Sequence, residues 1–291
     1  MMYPDLRGKV ALVTGGSGGI GRETARLLAA QGMRVVINGR DPVAIEAAVS
    51  DVLGDQAIGA ATGVGVAVND GTGGRGSGVD DLPQGDVPHG DLPQSEVIGV
   101  VADSTDFAAV EAMRVETERR FGPVDVLAIF AGGGTGRPRP IDQMSDEDWH
   151  ATLDANLTST YLVIKSFLPG MRERRSGSIV TMASLAARTP TPASVAYTAA
   201  KAGVIALTKQ LAYELGPAGI RVNAVSPSTI MTDRLEERMP REFKERMLAE
   251  HPLGRLGTPL DVAGVTAFLA SDVSSWLTGL TIDVAGGKWM P

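Results

Sequence analysis

Short runs of aliphatic and β-branched residues alternate along the chain with longer amphipathic stretches, and most runs end in glycine or a small polar residue. Such runs read as buried strands and the stretches between them as helices. The pattern predicts strands over Lys9–Val13, Met33–Asn38, Ile98–Val101, Val124–Phe130, Ser178–Met182, Ile220–Val225 and Leu280–Val284. Helices are predicted to about Gln31 after the first strand, and from Pro42 to about Leu53, where Asp41 caps and proline suits the first turn. Further helices are expected over Phe107–Phe121, behind the capping cluster Asp103-Ser104-Thr105-Asp106, from Ser145 to about Gly170, over Tyr197–Leu215 and over Asp261–Ala270. Asp233–Glu250 is charged, and Pro240 divides it into two short helices. Strand–helix alternation of this kind builds a parallel, doubly wound α/β sheet, here as one domain spanning 1–291.

One stretch breaks the alternation. Gly59–Ser95 is glycine-rich and carries a proline pentad repeat, Asp81-Leu82-Pro83-Gln84-Gly85 followed by two variants. Its composition buries little apolar surface, so it is expected to be an exposed arm inserted in the domain. Val64–Val68 within it is a rival third strand, disfavoured because glycine rather than a helix follows it.

Composition then removes several function classes. A net charge of −7 and a pI near 5.1 argue against a nucleic-acid partner. With no cysteine, thiolate catalysis and cysteine-ligated metal are excluded, and the three histidines, His89, His150 and His251, match no ligand spacing. No metal site is expected. The N-terminus lacks the pattern of a signal peptide and no apolar run is long enough for a membrane span, so a cytoplasmic protein is expected.

Three motifs carry chemistry. Thr14-Gly15-Gly16-Ser17-Gly18-Gly19-Ile20-Gly21 lies between a strand and a helix, where glycines let the backbone approach a pyrophosphate and the helix N-terminus supplies N–H groups. At the end of the second strand, Asn38-Gly39-Arg40 offers a cation where a carboxylate would select NAD, although Arg40 also reads as an ordinary solvated charge. Ser184 follows the fifth strand, and Tyr197 and Lys201 share one face of the next helix. An ammonium beside a phenol is expected to lower the phenol's pKa, and a nearby hydroxyl can hold a carbonyl oxygen, which suits proton transfer to or from that oxygen.

With these motifs in their order, and with Asp103, Ala131-Gly132, Asn156 and Pro227…Thr232 between and after them, the chain resembles the short-chain dehydrogenase/reductase family. The tail Pro252-Leu253-Gly254-Arg255-Leu256-Gly257 is similar to that of 3-oxoacyl-carrier-protein reductases and related alcohol dehydrogenases. The resemblance implies a Rossmann-like fold and reversible NADP(H)-dependent hydride transfer, with NAD as the alternative cofactor, to a ketone or aldehyde. It implies that Tyr197 is the acid/base, that Ser184 orients the carbonyl, that Lys201 binds ribose and tunes the phenol, and that Asn156 holds a relay water. The cofactor would be bound by Gly15, Ser17, Gly19, Ile20, Gly21, Arg40, Asp103, Ala131, Gly132, Tyr197, Lys201, Pro227, Ile230 and Thr232. Two departures stand out: Ile129-Phe130 where the family usually has two asparagines, and Pro227-Ser228 for the usual Pro-Gly. Arg137 and Arg139 hint at an acidic or carrier-bound substrate, and a solvated loop explains them equally well. The apolar breadth of Ser145–Gly170 and Tyr197–Leu215 suggests a homotetramer or dimer. The alternative is a cofactor-binding regulator or scaffold without turnover.

Overall fold

Strand β1, Val10–Thr14, is buried along its whole length because both faces of the sheet are covered. Its residues alternate between two cores. Val10 and Leu12 point into one, and Ala11 and Val13 into the other. The computed structural model describes residues 2–54, 96–133, 138–237 and 239–290. The predicted arm, the rival strand Val64–Val68 and Arg137 lie outside those residues.

Among the described residues, seven parallel strands run in the order β3-β2-β1-β4-β5-β6-β7. Besides β1 they are β2 (Arg34–Gly39), β3 (Val97–Val101), β4 (Val126–Ile129), β5 (Gly177–Met182), β6 (Ile220–Pro227) and β7 (Thr281–Val284). The third strand is thus the one that a helix follows directly. On one face lie α3 (Phe107–Phe121), α5 (Ser159–Arg174) and α6 (Val195–Leu215), with Met113, Phe167 and Leu215 buried against Leu12, Leu127 and Ile179. On the other lie α1 (Gly19–Ala30), α2 (Pro42–Leu53) and α9 (Pro259–Ala270), through Leu28, Ile45 and Ala267. Each fully buried aliphatic or aromatic side chain stabilises by about 1.5–3 kcal/mol, and truncating Phe167 to alanine would cost about 3–5 kcal/mol.

The strand order reverses between β1 and β4, so the ligand crevice of this sheet opens at the carboxyl ends of those two strands. The helix predicted from Ser145 to Gly170 is interrupted. It consists of α4 (Asp146–Leu153), a π turn over Asp154–Thr158, and α5, which continues to Arg174. The cause is polar: Asn156 donates from its side chain to the Thr152 carbonyl, and Thr160 Oγ1 donates to the Asn156 carbonyl. Such turns inside helices are frequent at functional sites. As expected, Asp233–Glu250 divides at Pro240, into α7 (Asp233–Glu236) and α8 (Arg241–Ala249).

Candidate active site

The turn from β1 to α1 is built from backbone with no room for side chains. Gly15 (φ +64°) and Gly19 (φ +51°) take left-handed conformations. A Cβ on Gly21 would lie 2.2 Å from the Gly15 carbonyl oxygen, and one on Gly15 would lie 2.9 Å from Phe130 and Ala131 backbone atoms. Gly18, by contrast, borders open space. A close-packed backbone turn, open on one side and leading into the N-terminus of a 12-residue helix, fits a pyrophosphate. Ser17 is half-buried in this turn, and Ile20 packs against the core on the α9 face. Thr14 Oγ1 accepts hydrogen bonds from both Phe130 and Ala131 N–H at 3.1 Å, tying β1 to the loop after β4. The Phe130 ring meanwhile packs into the apolar core. At this position a phenylalanine is accommodated by packing, and the threonine satisfies its backbone.

At the ends of β2 and β3 stand Gly39, Arg40 and Asp103. Asn38 is fully buried and donates to the carbonyls of Val100 and Ala102, which locks the two strand ends together. The Arg40 guanidinium is 78% exposed and lies 4.0 Å from the Asp103 carboxylate, an ion pair worth well under 1 kcal/mol in water. A side chain on Gly39 would begin 3.1 Å from Ser17 Oγ. One hydroxyl and one available cation therefore flank a strand end that has no side chain of its own.

Ser184, Tyr197 and Lys201 come together at the carboxyl end of β5. Ser194 caps α6 by accepting from Tyr197 N–H, which fixes the tyrosine in the first turn. Ser184 accepts from Ala186 N–H, and its hydroxyl is near enough to the Tyr197 phenol to favour the phenolate. Lys201 is buried, donates to the Met182 carbonyl at 2.8 Å, and has its Nζ 5.7 Å from the centroid of the Tyr197 ring. Burial lowers the lysine's pKa to about 8. The phenol differs from expectation: burial pushes the Tyr197 pKa up, and the Ser184 bond offsets this only in part. The ammonium donates to the Met182 carbonyl, and desolvation outweighs its field at the phenol.

Asn156 approaches from the π turn. Its carboxamide accepts from Gly133 N–H at 2.9 Å and donates to the carbonyls of Gly133 and Thr152. Gly132 (φ +131°) is required here, since a Cβ would lie 2.6 Å from Asn156 Oδ1. The side chain is thus engaged in holding the Ala131–Gly133 loop. After β6, Pro227 leads to an isolated parallel bridge between Ile230 and Gly257, in which Met231 N–H donates to the Gly257 carbonyl and Gly257 N–H to the Thr229 carbonyl. In a parallel bridge those bonds leave the peptide groups of Ile230 itself directed away from Gly257. Thr232 lies against the glycine turn, its Cγ2 3.1 Å from a Cβ built on Gly19.

All the predicted residues among those described therefore gather at one edge of the sheet. Arg139 stands in an exposed ion pair with Asp148 at 3.4 Å. A cavity of about 430 Å3 opens at the opposite edge, between Lys9, Arg221 and Trp276, and none of the predicted site residues lines it. Sequence reasoning missed the contacts of His251 and Arg188. His251 bonds Ser228, Arg188 pairs with Asp283 at 2.9 Å beside the Ser184 loop, and Arg22 pairs with Asp233 at 3.0 Å. The Pro227-Ser228 departure pointed toward the first of these.

Residues 89–288 match the family model described as enoyl-(acyl carrier protein) reductase, and residues 9–73 match short chain dehydrogenase. The chain belongs to the short-chain dehydrogenase/reductase family. It is an NAD(P)-dependent oxidoreductase of that family, acting between CH–OH and carbonyl. It is 35% identical to the 3-oxoacyl-(acyl-carrier-protein) reductase FabG of Staphylococcus aureus, over 97% of this chain and 98% of that protein. It is 34% identical to a hydroxy(phenyl)methylsuccinyl-CoA dehydrogenase subunit of Thauera aromatica, over 97% of each. A 3-oxoacyl-(acyl-carrier protein) reductase of Brucella melitensis, solved with bound NAD, superposes with a TM-score of 0.79 at 28% identity, covering 100% of this chain and 94% of that one. No helix among the described residues is long and apolar enough to cross a membrane, and none of their His, Asp and Glu side chains cluster as a metal site would require.

Proposed function

We propose that this oxidoreductase reduces a ketone or aldehyde, reversibly, with NADP(H) in preference to NAD(H) and with Tyr197 as the acid/base. The observation that carries the reading is the cluster at the crevice edge of half-buried Ser184 and Tyr197 with the buried Lys201. A bound nicotinamide would supply the hydride for the carbonyl carbon, or accept it from the alcohol. In the reductive direction Tyr197 gives its proton to the carbonyl oxygen while the Ser184 hydroxyl donates to the same oxygen, so that the alcohol forms and a phenolate remains. Lys201 stabilises that phenolate, and the proton is replaced from solvent by way of Lys201 and a water held at Asn156.

Gly15, Ser17, Gly19, Ile20 and Gly21 would hold the pyrophosphate side of the cofactor, with Asp103 at the adenine. Ala131, Gly132, Pro227, Ile230 and Thr232 would hold its nicotinamide side. The preference for NADP rests on Gly39, where no carboxylate repels a 2′-phosphate, with Arg40 and the Ser17 hydroxyl beside it. Two relatives named for acyl-carrier-protein and CoA thioesters suggest a thioester-linked 3-oxoacyl group as the substrate class. The exposed Tyr161 on α5 and Tyr213 on α6 support pairing of these helices in a dimer or tetramer. A scaffold without turnover gains nothing from burying Lys201, whose charge is costly there.

The test is Tyr197→Phe. It should lose more than about 99% of kcat, since general acid–base groups contribute about 10²–10⁴-fold, while cofactor affinity stays nearly unchanged. Retention of more than a few per cent of kcat on a 3-oxoacyl thioester would refute the role given to Tyr197.

A further inference from the structure

The loop after β6 is held on one side by the Ile230–Gly257 bridge, and on the other by a side-chain contact to His251, which follows α8. His251, just past the C-terminus of α8, is 3% exposed. Its Nδ1 lies 2.6 Å from the Met247 carbonyl, and its Nε2 lies 3.0 Å from Ser228 Oγ. A carbonyl only accepts, so Nδ1 carries the hydrogen and Nε2 of the neutral ring accepts from the Ser228 hydroxyl. Ser228 N–H in turn donates to the Val284 carbonyl of β7. The Gly286 backbone closes over the imidazole, with a Cβ there 3.3 Å from His251 Cδ2.

We infer that His251 is a positioning residue for the cofactor loop. Through Ser228 it fixes the start of the segment that runs by way of Ile230 to Thr232, and Thr232 meets the Gly19 turn. The same imidazole caps α8 through Met247, so the order of α8 and the placement of the nicotinamide side of the site depend on one ring. The inference rests on the proposal that Ile230 and Thr232 face the cofactor. It does not depend on Tyr197 being the acid.

Two variants remove the contact to Ser228, one from each side, and spare the one to Met247. Ser228→Ala removes the bond to the loop and leaves the cap on Met247. His251→Asn keeps a donor to the Met247 carbonyl and cannot reach Ser228. Losing one neutral hydrogen bond should weaken NADPH binding about fivefold in either variant, measured as a dissociation constant by fluorescence titration. The double variant should be no weaker than the singles, because both remove the same contact. Amide hydrogen exchange of the protein alone should accelerate over 228–232 by a similar factor in both variants and stay unchanged in β1 and β4. Unchanged affinity and unchanged exchange over 228–232 in both variants would overturn the inference. So would effects that add fully in the double variant, or a uniform rise in exchange across the sheet, which would mark a packing role only. If Tyr197→Phe were active while these affinities shifted as expected, the acid assignment would fail and the positioning role would stand.

Discussion

Replacing Gly39 by aspartate and Arg40 by leucine should invert the cofactor preference. In the wild type, Arg40 is the available cation, and a charge-assisted hydrogen bond to a phosphate contributes about 1.5–3 kcal/mol where water is excluded. Its guanidinium is 78% exposed and already shares the field of Asp103 at 4.0 Å, so screening reduces that gain. A contribution near 1.4 kcal/mol, or about tenfold in favour of NADPH over NADH, is the expected wild-type preference. Arg40→Leu alone should remove most of it. Adding Gly39→Asp places a carboxylate beside the 2′ position and should turn the ratio toward NADH. The substitution is sterically mild: Gly39 is not among the positive-φ glycines, and the new Cβ would meet Ser17 Oγ at 3.1 Å and Ile45 Cγ1 at 3.4 Å, the first able to rotate. Paired titrations of NADPH and NADH, with thermal melting to confirm the fold, give the ratio. Equal wild-type affinities, or an unchanged ratio in the double variant, would refute the assignment of Arg40 and Gly39.

Three further outcomes follow from the same contacts. Lys201→Met should raise the urea midpoint relative to wild type at pH 7, because a lysine held at about 8 is charged there at a cost on the order of 3 kcal/mol, offset in part by the orphaned Met182 carbonyl. The lowered folded pKa means that wild-type stability rises with pH between about 8 and the unfolded value near 10.4, so the gap should narrow by pH 9.5, and a gap independent of pH would contradict it. Asp261→Asn should cost about 1 kcal/mol, since Asp261 caps α9 through Thr258 and pairs with both Arg255 nitrogens at 2.7 Å; its depressed pKa makes that contribution present above about pH 4 and lost as pH falls below it, which urea melts at pH 7 and pH 3 would show. Thr14→Val removes the acceptor for Phe130 and Ala131 N–H and should cost about 1–3 kcal/mol with a weakened cofactor affinity, whereas Thr14→Ser should keep both near wild type, as melting and titration will tell.

The parts of this structure that were legible in the sequence are those whose cause is local. Alternation in Val10–Val13 fixes which side chains face which core, and the proline at Pro240 divides α7 from α8 without help from the rest of the chain. The glycine turn was legible because only glycine tolerates the backbone contacts of Gly15 and Gly21. What could not be read has a tertiary cause. At the π turn over Asp154–Thr158, Asn156 adds to its local bond with Thr152 one that reaches Gly133, 23 residues earlier, and helix propensity carries no trace of that second bond. His251 looked like a lone histidine because its partner Ser228 lies on another element, brought within reach only when β6 and α8 pack. The direction of the Tyr197 shift was misread because sequence spacing places Lys201 on the same helix face without showing that its ammonium bonds to Met182.

That misreading leads to a last prediction. Burial acts on both members of the pair and in opposite senses, raising the phenol and lowering the ammonium. At neutral pH the protein alone therefore keeps Tyr197 protonated, the form that the proposed acid role requires, and disfavours the phenolate that alcohol oxidation would need under the same proposal. On the proposed mechanism, a bound oxidised nicotinamide would add its positive charge to that of Lys201 in favouring a phenolate. Ultraviolet titration of the protein without cofactor, taken as the difference between wild type and Tyr197→Phe, should place the Tyr197 transition above pH 10. The pH dependence of kcat/KM for alcohol oxidation should instead rise with pH, because the base is required, while the reductive direction holds level until the phenol deprotonates. A Tyr197 transition below pH 9 in the protein alone would show that Lys201 suffices to lower it and that burial is the lesser effect.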